Sequence, residues 1–195
     1  MKVKTIIPKS EARKIVLQRS GEFSHEDARR KTQAIIERLS TLDDFIHAKI
    51  VHTHISRNNW EIDTRRLIDY IMGQGKSVVI PKINLISGTL QRFYFTGWDN
   101  LVKNADGYLE PKIGLNEDNS DVDLFIVPAL AISSLGQRVG HGKGLYNNVI
   151  RNVYATKIVL AYEFQVFDAI ESNPGDVLID KIVTERRVIN TRDIK

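Results

Sequence analysis

The sequence predicts an α/β layered domain built on a largely parallel sheet, because short apolar runs alternate with segments of helical periodicity along the chain. Two of those runs, Ser77–Pro81 (SVVIP) and Val122–Pro128 (VDLFIVP), end in proline and have no polar alternation. Such runs suit strands covered by helices on both faces. The length of 195 residues, with 42% apolar and 27% charged, fits one globular domain spanning residues 1–195.

Taken in order, the chain opens with a helix carrying Lys9 and Arg13, four residues apart and therefore on one face. Like charges so placed cost about 0.2–0.5 kcal/mol, and a lysine at a helix N-terminus also opposes the dipole. A bound phosphate relieves both penalties; a solvated basic face is the plainer alternative. Ser24–Ser40 is the clearest helix: Ser24 is a good N-cap, Glu26 and Asp27 lie in the first turn, and Ala28, Thr32, Ile35, Ile36 and Leu39 make the apolar stripe. Ala48–Ile55, rich in Ile, Val and Thr, reads as a strand. Thr64–Met72 is a helix capped by Asp63 and stopped near Gly75.

After the SVVIP strand, Leu90–Phe95 (LQRFYF) reads as another strand, and the tail Ile182–Asn190 as further strand, with an antiparallel pair expected among these. Gly97–Asp121 is the loosest region, of a length that often marks function. The VDLFIVP strand leads through a glycine-rich segment to a helix at Leu145–Val153, with Tyr146, Val149, Ile150 and Val153 facing inward, and then to a strand at Lys157–Ala161.

Composition narrows the function classes. No apolar run approaches the ~18 residues of a membrane span, and Met1–Lys9, with three lysines and a proline, is not a secretory signal. The absence of cysteine excludes disulfides, Cys-zinc sites and thiol catalysis, and the cytoplasm is the simplest compartment. A net charge of +4 and a pI near 9.2 suit an anionic partner. Basic residues are scattered among acidic ones rather than blocked with aromatics, so a small polyanion is expected and not nucleic acid.

Gly136–Asn148 (GQRVGHGKGLYNN) carries the most chemistry. Gly140, Gly142 and Gly144 allow backbone N–H groups to approach a ligand closely, Lys143 sits among them, and the following helix turns its positive end to the same place. Arg138 adds a guanidinium able to fork onto phosphate. The glycine spacing is not that of a Walker A loop; the bland reading is a mobile surface loop. Glu61 lies between a strand and the Asp63-capped helix, where a carboxylate can accept from ring N–H groups or merely favour the helix dipole. Trp60 beside it either stacks on a flat ring or packs. His52 and His54 alternate on one strand and so share a face. Without a third and fourth ligand, they and His141 predict no transition-metal site.

These residues carry a resemblance. PALAISSLGQRVGHGKGLYNN resembles the P-G-x-A-F-D-x-x-G-x-R-L-G-x-G-K-G-Y-Y-D segment of the 5-formyltetrahydrofolate cyclo-ligase family. Lys9 and Arg13 resemble its K-x-x-x-R, Glu61–Thr64 its E-[VI]-[DE]-T, Gly107–Pro111 its loop ending in E-P, Tyr162–Gln165 its F-x-x-Q, and Gly175-Asp176 its H-D. The matches keep family order over nearly the whole chain. The resemblance implies a three-layer α/β sandwich, related to sugar-phosphate isomerase-like folds. It also implies ATP- and Mg²⁺-dependent conversion of 5-formyltetrahydrofolate to 5,10-methenyltetrahydrofolate, acting on a reduced folate and a nucleotide; a monomer is expected, with an oligomer left open.

Carried over by resemblance, ATP is held by Lys9, Ser10, Glu11, Ala12 and Arg13, and by Arg138, Val139, Gly140, His141, Gly142, Lys143, Gly144, Leu145 and Tyr146. Lys143 and Arg138 serve the transfer. The folate is met by Ile55, Ser56, Glu61 and His141 through Leu145, and magnesium by Asn147 and Asp176. Two departures stand out: the family's Tyr-Tyr-Asp is Leu145-Tyr146-Asn147 here, and its Ala-Phe-Asp is Ala131-Ile132-Ser133. A non-catalytic or repurposed binding member of the same fold, and a sugar-phosphate isomerase-like enzyme, are the alternatives.

Overall fold

A computed structural model describes residues 5–22, 24–57, 61–84, 89–105, 107–112, 122–140, 145–151 and 153–193. In chain order its elements begin β1 (Ile6–Ile7), α1 (Lys9–Ser20), α2 (His25–Ser40), α3 (Asp43–His47), β2 (Ile50–His52), α4 (Thr64–Gly73), β3 (Ser77–Asn84) and β4 (Thr89–Tyr94). They continue with β5 (Leu101–Lys103), β6 (Leu109–Pro111), β7 (Leu124–Ile126), β8 (Ala131–Ser133), β9 (Arg138–Val139) and α5 (Leu145–Arg151). The last are β10 (Thr156–Leu160), β11 (Val166–Phe167), β12 (Ala169–Ile170), β13 (Lys181–Val183) and β14 (Val188–Asn190).

Seven strands form the central sheet in the order β14-β13-β10-β7-β2-β3-β4. The five inner strands run parallel, and β4 and β14 close the two edges antiparallel. The segments LQRFYF and the tail are therefore each antiparallel strands, but at opposite edges rather than paired together: β4 folds back on β3, and the tail makes its own hairpin of β13 and β14.

Alternation along the strands explains the layering. Leu124 and Ile126 join one core cluster with Ile35, Ile36 and Leu39 of α2 and Leu67, Ile68 and Ile71 of α4. Phe125 and Val127 point the other way, into a cluster with Ile150 of α5. Successive residues of a strand face opposite sides, so both faces are buried and the sheet lies between two helical layers. Each of these fully buried Leu, Ile and Phe side chains contributes about 1.5–3 kcal/mol. A third cluster docks α1, through Ala12 and Val16, onto Leu130, Ala131, Val139 and Ile170. This fixes the charged face of α1 beside β9.

The two amphipathic helices form with the caps their sequences offer: Ser24 accepts from Asp27 N, and Asp63 accepts from Arg65 N and Arg66 N. The strand expected over Ala48–Ile55 is shorter, Ile50–His52. Beyond Thr53, whose N–H still reaches Val79 O at 2.9 Å, the chain leaves the sheet. Ser56 N donates to Thr64 Oγ1 at 2.6 Å and Thr64 N to Ser56 Oγ at 3.2 Å, so the segment is held by the start of α4 instead of a neighbouring strand. At the opposite end of the sheet, Asp123 accepts from Lys49 N and Ile50 N, both at 2.8 Å. Helix α3 had no periodic signal; it is one short turn-and-a-half that buries Phe45. Among the described residues no helix is long and apolar enough to cross a membrane.

Candidate functional site

The C-terminal ends of β2, β7 and β10 open onto a small cavity lined by His54, Glu61, Thr64, Pro128, Leu160 and Gln165. Loops at the carboxyl ends of parallel strands are where this class of sheet places ligands. Glu61 sits just before the capped start of α4, with Oε2 accepting from Arg57 N at 2.7 Å and its carbonyl accepting from Tyr162 Oη at 3.2 Å. Gln165 is nearly buried; its Nε2 donates to Leu130 O at 2.9 Å while its Oε1 accepts from Tyr162 N at 2.8 Å. The two hydrogen bonds fix that amide at the cavity wall.

A second cluster, of cations, adjoins the first. Lys9, the first residue of α1, pairs with Asp176. Asn147 on α5 donates from Nδ2 to Asp176 Oδ1 at 2.9 Å, and its Oδ1 accepts from Arg138 Nη2 at 2.8 Å. Arg138 Nη1 donates to Pro128 O at 3.0 Å. Pro128 thus belongs to both groups: it lines the cavity and its carbonyl anchors the guanidinium. Arg13 Nε donates to Gly140 O at 3.1 Å, bringing α1 to the strand end from which the glycine-rich segment departs.

The electrostatics follow from burial. Desolvation works to raise the Asp176 carboxyl, but the Lys9 ammonium and the N–H groups of Asn173 and Asn147 outweigh it and hold it below its ordinary value. Burial pushes Arg138 down, opposed by Tyr146 and Asp176. Tyr146 is partly buried, with its hydroxyl oxygen shielded from solvent; burial drives its phenol far up, partly offset by Arg138 and reinforced by the charge of Glu61, so it remains a neutral donor. Its Oη has no hydrogen-bond partner among the described residues. Tyr146 therefore stands within electrostatic reach of both clusters.

Several residues singled out in the sequence come together here. Lys9, Asp176, Asn147 and Arg138 form one chain of contacts, Arg13 meets Gly140 two residues beyond Arg138, and Glu61 lines the neighbouring cavity. Ser10 and Glu11 are exposed, whereas Ala12 and Val139 face the core under α1. Ile55 packs against the core and Ser56 is engaged by α4, and neither lines the cavity. His141, Gly142, Lys143 and Gly144, the Leu145 side chain and Trp60 lie outside the described residues.

His52 and His54 do not share a strand face, because β2 ends at His52. His54 lines the cavity, while His52 is buried with its ring stacked on Phe125 at 3.7 Å between centroids. Sequence reasoning missed His54, Pro128 and Gln165 as site residues. Their signal was available: each lies just beyond the C-terminal end of a core strand, and Gln165 closes the YEFQ segment.

Comparisons with known proteins bear on the family and the fold. The sequence model of the 5-formyltetrahydrofolate cyclo-ligase family matches residues 6–185. A probable 5-formyltetrahydrofolate cyclo-ligase of Caenorhabditis elegans is 28% identical over 93% of this chain and 94% of its own length. The Escherichia coli K12 5-formyltetrahydrofolate cyclo-ligase is 27% identical over 89% of this chain and 98% of its own. The solved structure of Aquifex aeolicus 5,10-methenyltetrahydrofolate synthetase superposes with a TM-score of 0.83 at 30% identity, covering 96% of this chain and 94% of that one.

Proposed function

This chain belongs to the 5-formyltetrahydrofolate cyclo-ligase family, and we propose that it catalyses the ATP-dependent closure of 5-formyltetrahydrofolate to 5,10-methenyltetrahydrofolate, with release of ADP and phosphate. The observation that carries this reading is the direct adjacency of a cavity bearing a carboxylate and a cluster of fixed cations, joined through Pro128. A reaction that passes a phosphoryl group from a polyanion to a neutral ring substrate needs those two environments side by side.

ATP supplies the phosphoryl group that turns the N5-formyl oxygen into a leaving group, after which N10 closes the ring on the activated carbon. The chain's own part is positioning and charge compensation. In this reading Glu61, at the cavity wall, accepts from the N–H groups of the reduced pterin. Lys9, Arg13 and Arg138 face the nucleotide phosphates, and Lys143, with the backbone of Gly140 to Gly144, completes the cradle. Tyr146, neutral and within electrostatic reach of Arg138 and Glu61, lies between the two substrate regions. His52 cannot act as a general base: it lies in the core and burial pushes its pKa down to about 3.

Magnesium is the expected companion of ATP, yet Asn147 and Asp176 as placed do not fit a resident ion. Every carboxylate or amide oxygen they offer already accepts an N–H donor, and two of the donors are cationic. We also take the protein to be one domain over residues 1–195 acting on small molecules, and place it in the cytoplasm, in keeping with its cysteine-free composition. No observation favours a sugar-phosphate isomerase or a non-catalytic binding role.

The test is to supply 5-formyltetrahydrofolate with ATP, or with an analogue whose β,γ-bridge cannot be cleaved. With Mg²⁺ present throughout, methenyl-folate absorbance should grow with ATP and not with the analogue. Equal growth with the analogue would contradict phosphoryl transfer.

A further inference from the structure

We propose that in this chain Asn147 and Asp176 are positioning residues rather than metal ligands. They are the middle of a charge-compensated tie that aims Lys9 and Arg138, so that the protein holds no divalent ion of its own and meets one only on the nucleotide phosphates. The inference rests on the nucleotide reading above for its target, but its geometry stands without it.

The orientation of the Asn147 amide is set by its neighbours. A guanidinium only donates and an ionised carboxylate only accepts. With Arg138 Nη2 at 2.8 Å on one side and Asp176 Oδ1 at 2.9 Å on the other, the amide oxygen must face Arg138 and the amide nitrogen Asp176. What points at the carboxylate is thus an N–H donor, occupying the place where a bridging cation would have to sit. The second carboxylate oxygen is filled from two sides, by Lys9 Nζ and by Asn173 N at 2.8 Å. A hard cation prefers free oxygens, and magnesium demands octahedral geometry with them. Here it would have to displace an ammonium and an amide from the same carboxylate.

The tie also accounts for two otherwise costly placements. Lys9 stands at the first position of α1, where it opposes the helix dipole; Asp176 offsets that charge. Arg138 is largely withdrawn from solvent, and its links to Pro128 O and Asn147 Oδ1 satisfy the ends of its fork, while Nε stays buried without a partner among the described residues. An aspartate at position 147 could not replace Asn147 in this geometry. Two carboxylates would then meet at hydrogen-bond distance, an arrangement that needs a proton or a cation between them. The amide nitrogen of Asn147 supplies from the chain what an ion would otherwise supply.

Direct metal binding tests this without reference to catalysis. Free protein, with no nucleotide or folate, is titrated with Mn²⁺ and the bound fraction read by electron paramagnetic resonance, for the parent, Asn147→Asp and Asp176→Asn. The parent should bind weakly and Asp176→Asn no differently, while Asn147→Asp should bind about tenfold tighter or more. Tight binding by the parent that Asp176→Asn abolishes would overturn the proposal, and so would an Asn147→Asp variant with no gain. A kinetic arm separates positioning from ligation: Asp176→Asn should raise the KM for ATP about tenfold with a smaller change in kcat, and excess Mg²⁺ should not restore it. Restoration by Mg²⁺ would mean that Asp176 is a ligand. Failure of the cyclo-ligase reading would remove this second arm and leave the Mn²⁺ result standing.

Discussion

Replacing His52 by phenylalanine should make the protein more resistant to acid. His52 is fully buried, stacked on Phe125 with Tyr146 at its edge, and among the described residues neither ring nitrogen makes a hydrogen bond of ordinary geometry, although backbone of Ile126 and of His52 itself lies near. Burial first, then the charges of His54 and Arg92, keep the imidazole neutral and push its pKa down to about 3. An unfolded histidine titrates near ~6.5. Between those values the unfolded chain takes up a proton that the native protein refuses. On this account stability is fully present above about pH 6.5 and is lost as pH falls towards about 3. The slope is about 1.36 kcal/mol per pH unit, so descending from about pH 7.5 to about pH 4.5 costs roughly 2–3 kcal/mol through this one residue.

Phenylalanine keeps the stacked ring and removes the proton, at a constant packing cost of about 1 kcal/mol for the larger ring. Urea unfolding midpoints, measured for parent and variant at several pH values, give the test. The difference in stability should move by about 2–3 kcal/mol in the variant's favour across that interval. Parallel curves would refute the reasoning, because they would mean that native His52 accepts the proton as readily as the unfolded chain.

Two further outcomes are expected. Gly136 has φ +87°, and a Cβ there would lie 2.6 Å from Ile179 O; Gly136→Ala should cost about 3 kcal/mol and lower Tm by roughly 6–12 °C, and an unchanged thermal transition would contradict it. Lys143→Ala should reduce turnover roughly 30- to 1,000-fold, the equivalent of losing about 2–4 kcal/mol of transition-state stabilisation. Lys157→Ala and Lys103→Ala should do little in the same steady-state assay, and equal small effects at all three lysines would remove Lys143 from the site.

The fold was largely legible because its strongest features are periodic. The stripe of Ile35, Ile36 and Leu39 and the caps at Ser24 and Asp63 announce α2 and α4, and the unalternating VDLFIVP run announces a strand buried on both faces. The two- and three-residue strands β8, β9, β11 and β12 were not legible. They are too short for a period and are held by pairing with distant segments, as β11 is with β8. Strand β2 was overread because Thr53, His54 and Ile55 have strand-like side chains, while tertiary bonds between Ser56 and Thr64 divert the chain. At the site, the residue types of Lys9, Arg13, Arg138 and Glu61 were legible from charge and spacing. Their mutual arrangement was not: the bond from Asn147 to Asp176 joins residues 29 apart, and that from Lys9 to Asp176 residues 167 apart. No local pattern records such contacts.

The central claim is that ATP cleavage and ring closure are one coupled event in this protein. Its most direct measurement follows methenyl-folate absorbance and ADP release together, from 5-formyltetrahydrofolate, Mg²⁺ and limiting ATP. One ADP should appear for every methenyl-folate formed, with no product once ATP is exhausted. Product that continues to accumulate without ATP, or ADP release that proceeds at the same rate when the folate is omitted, would contradict it.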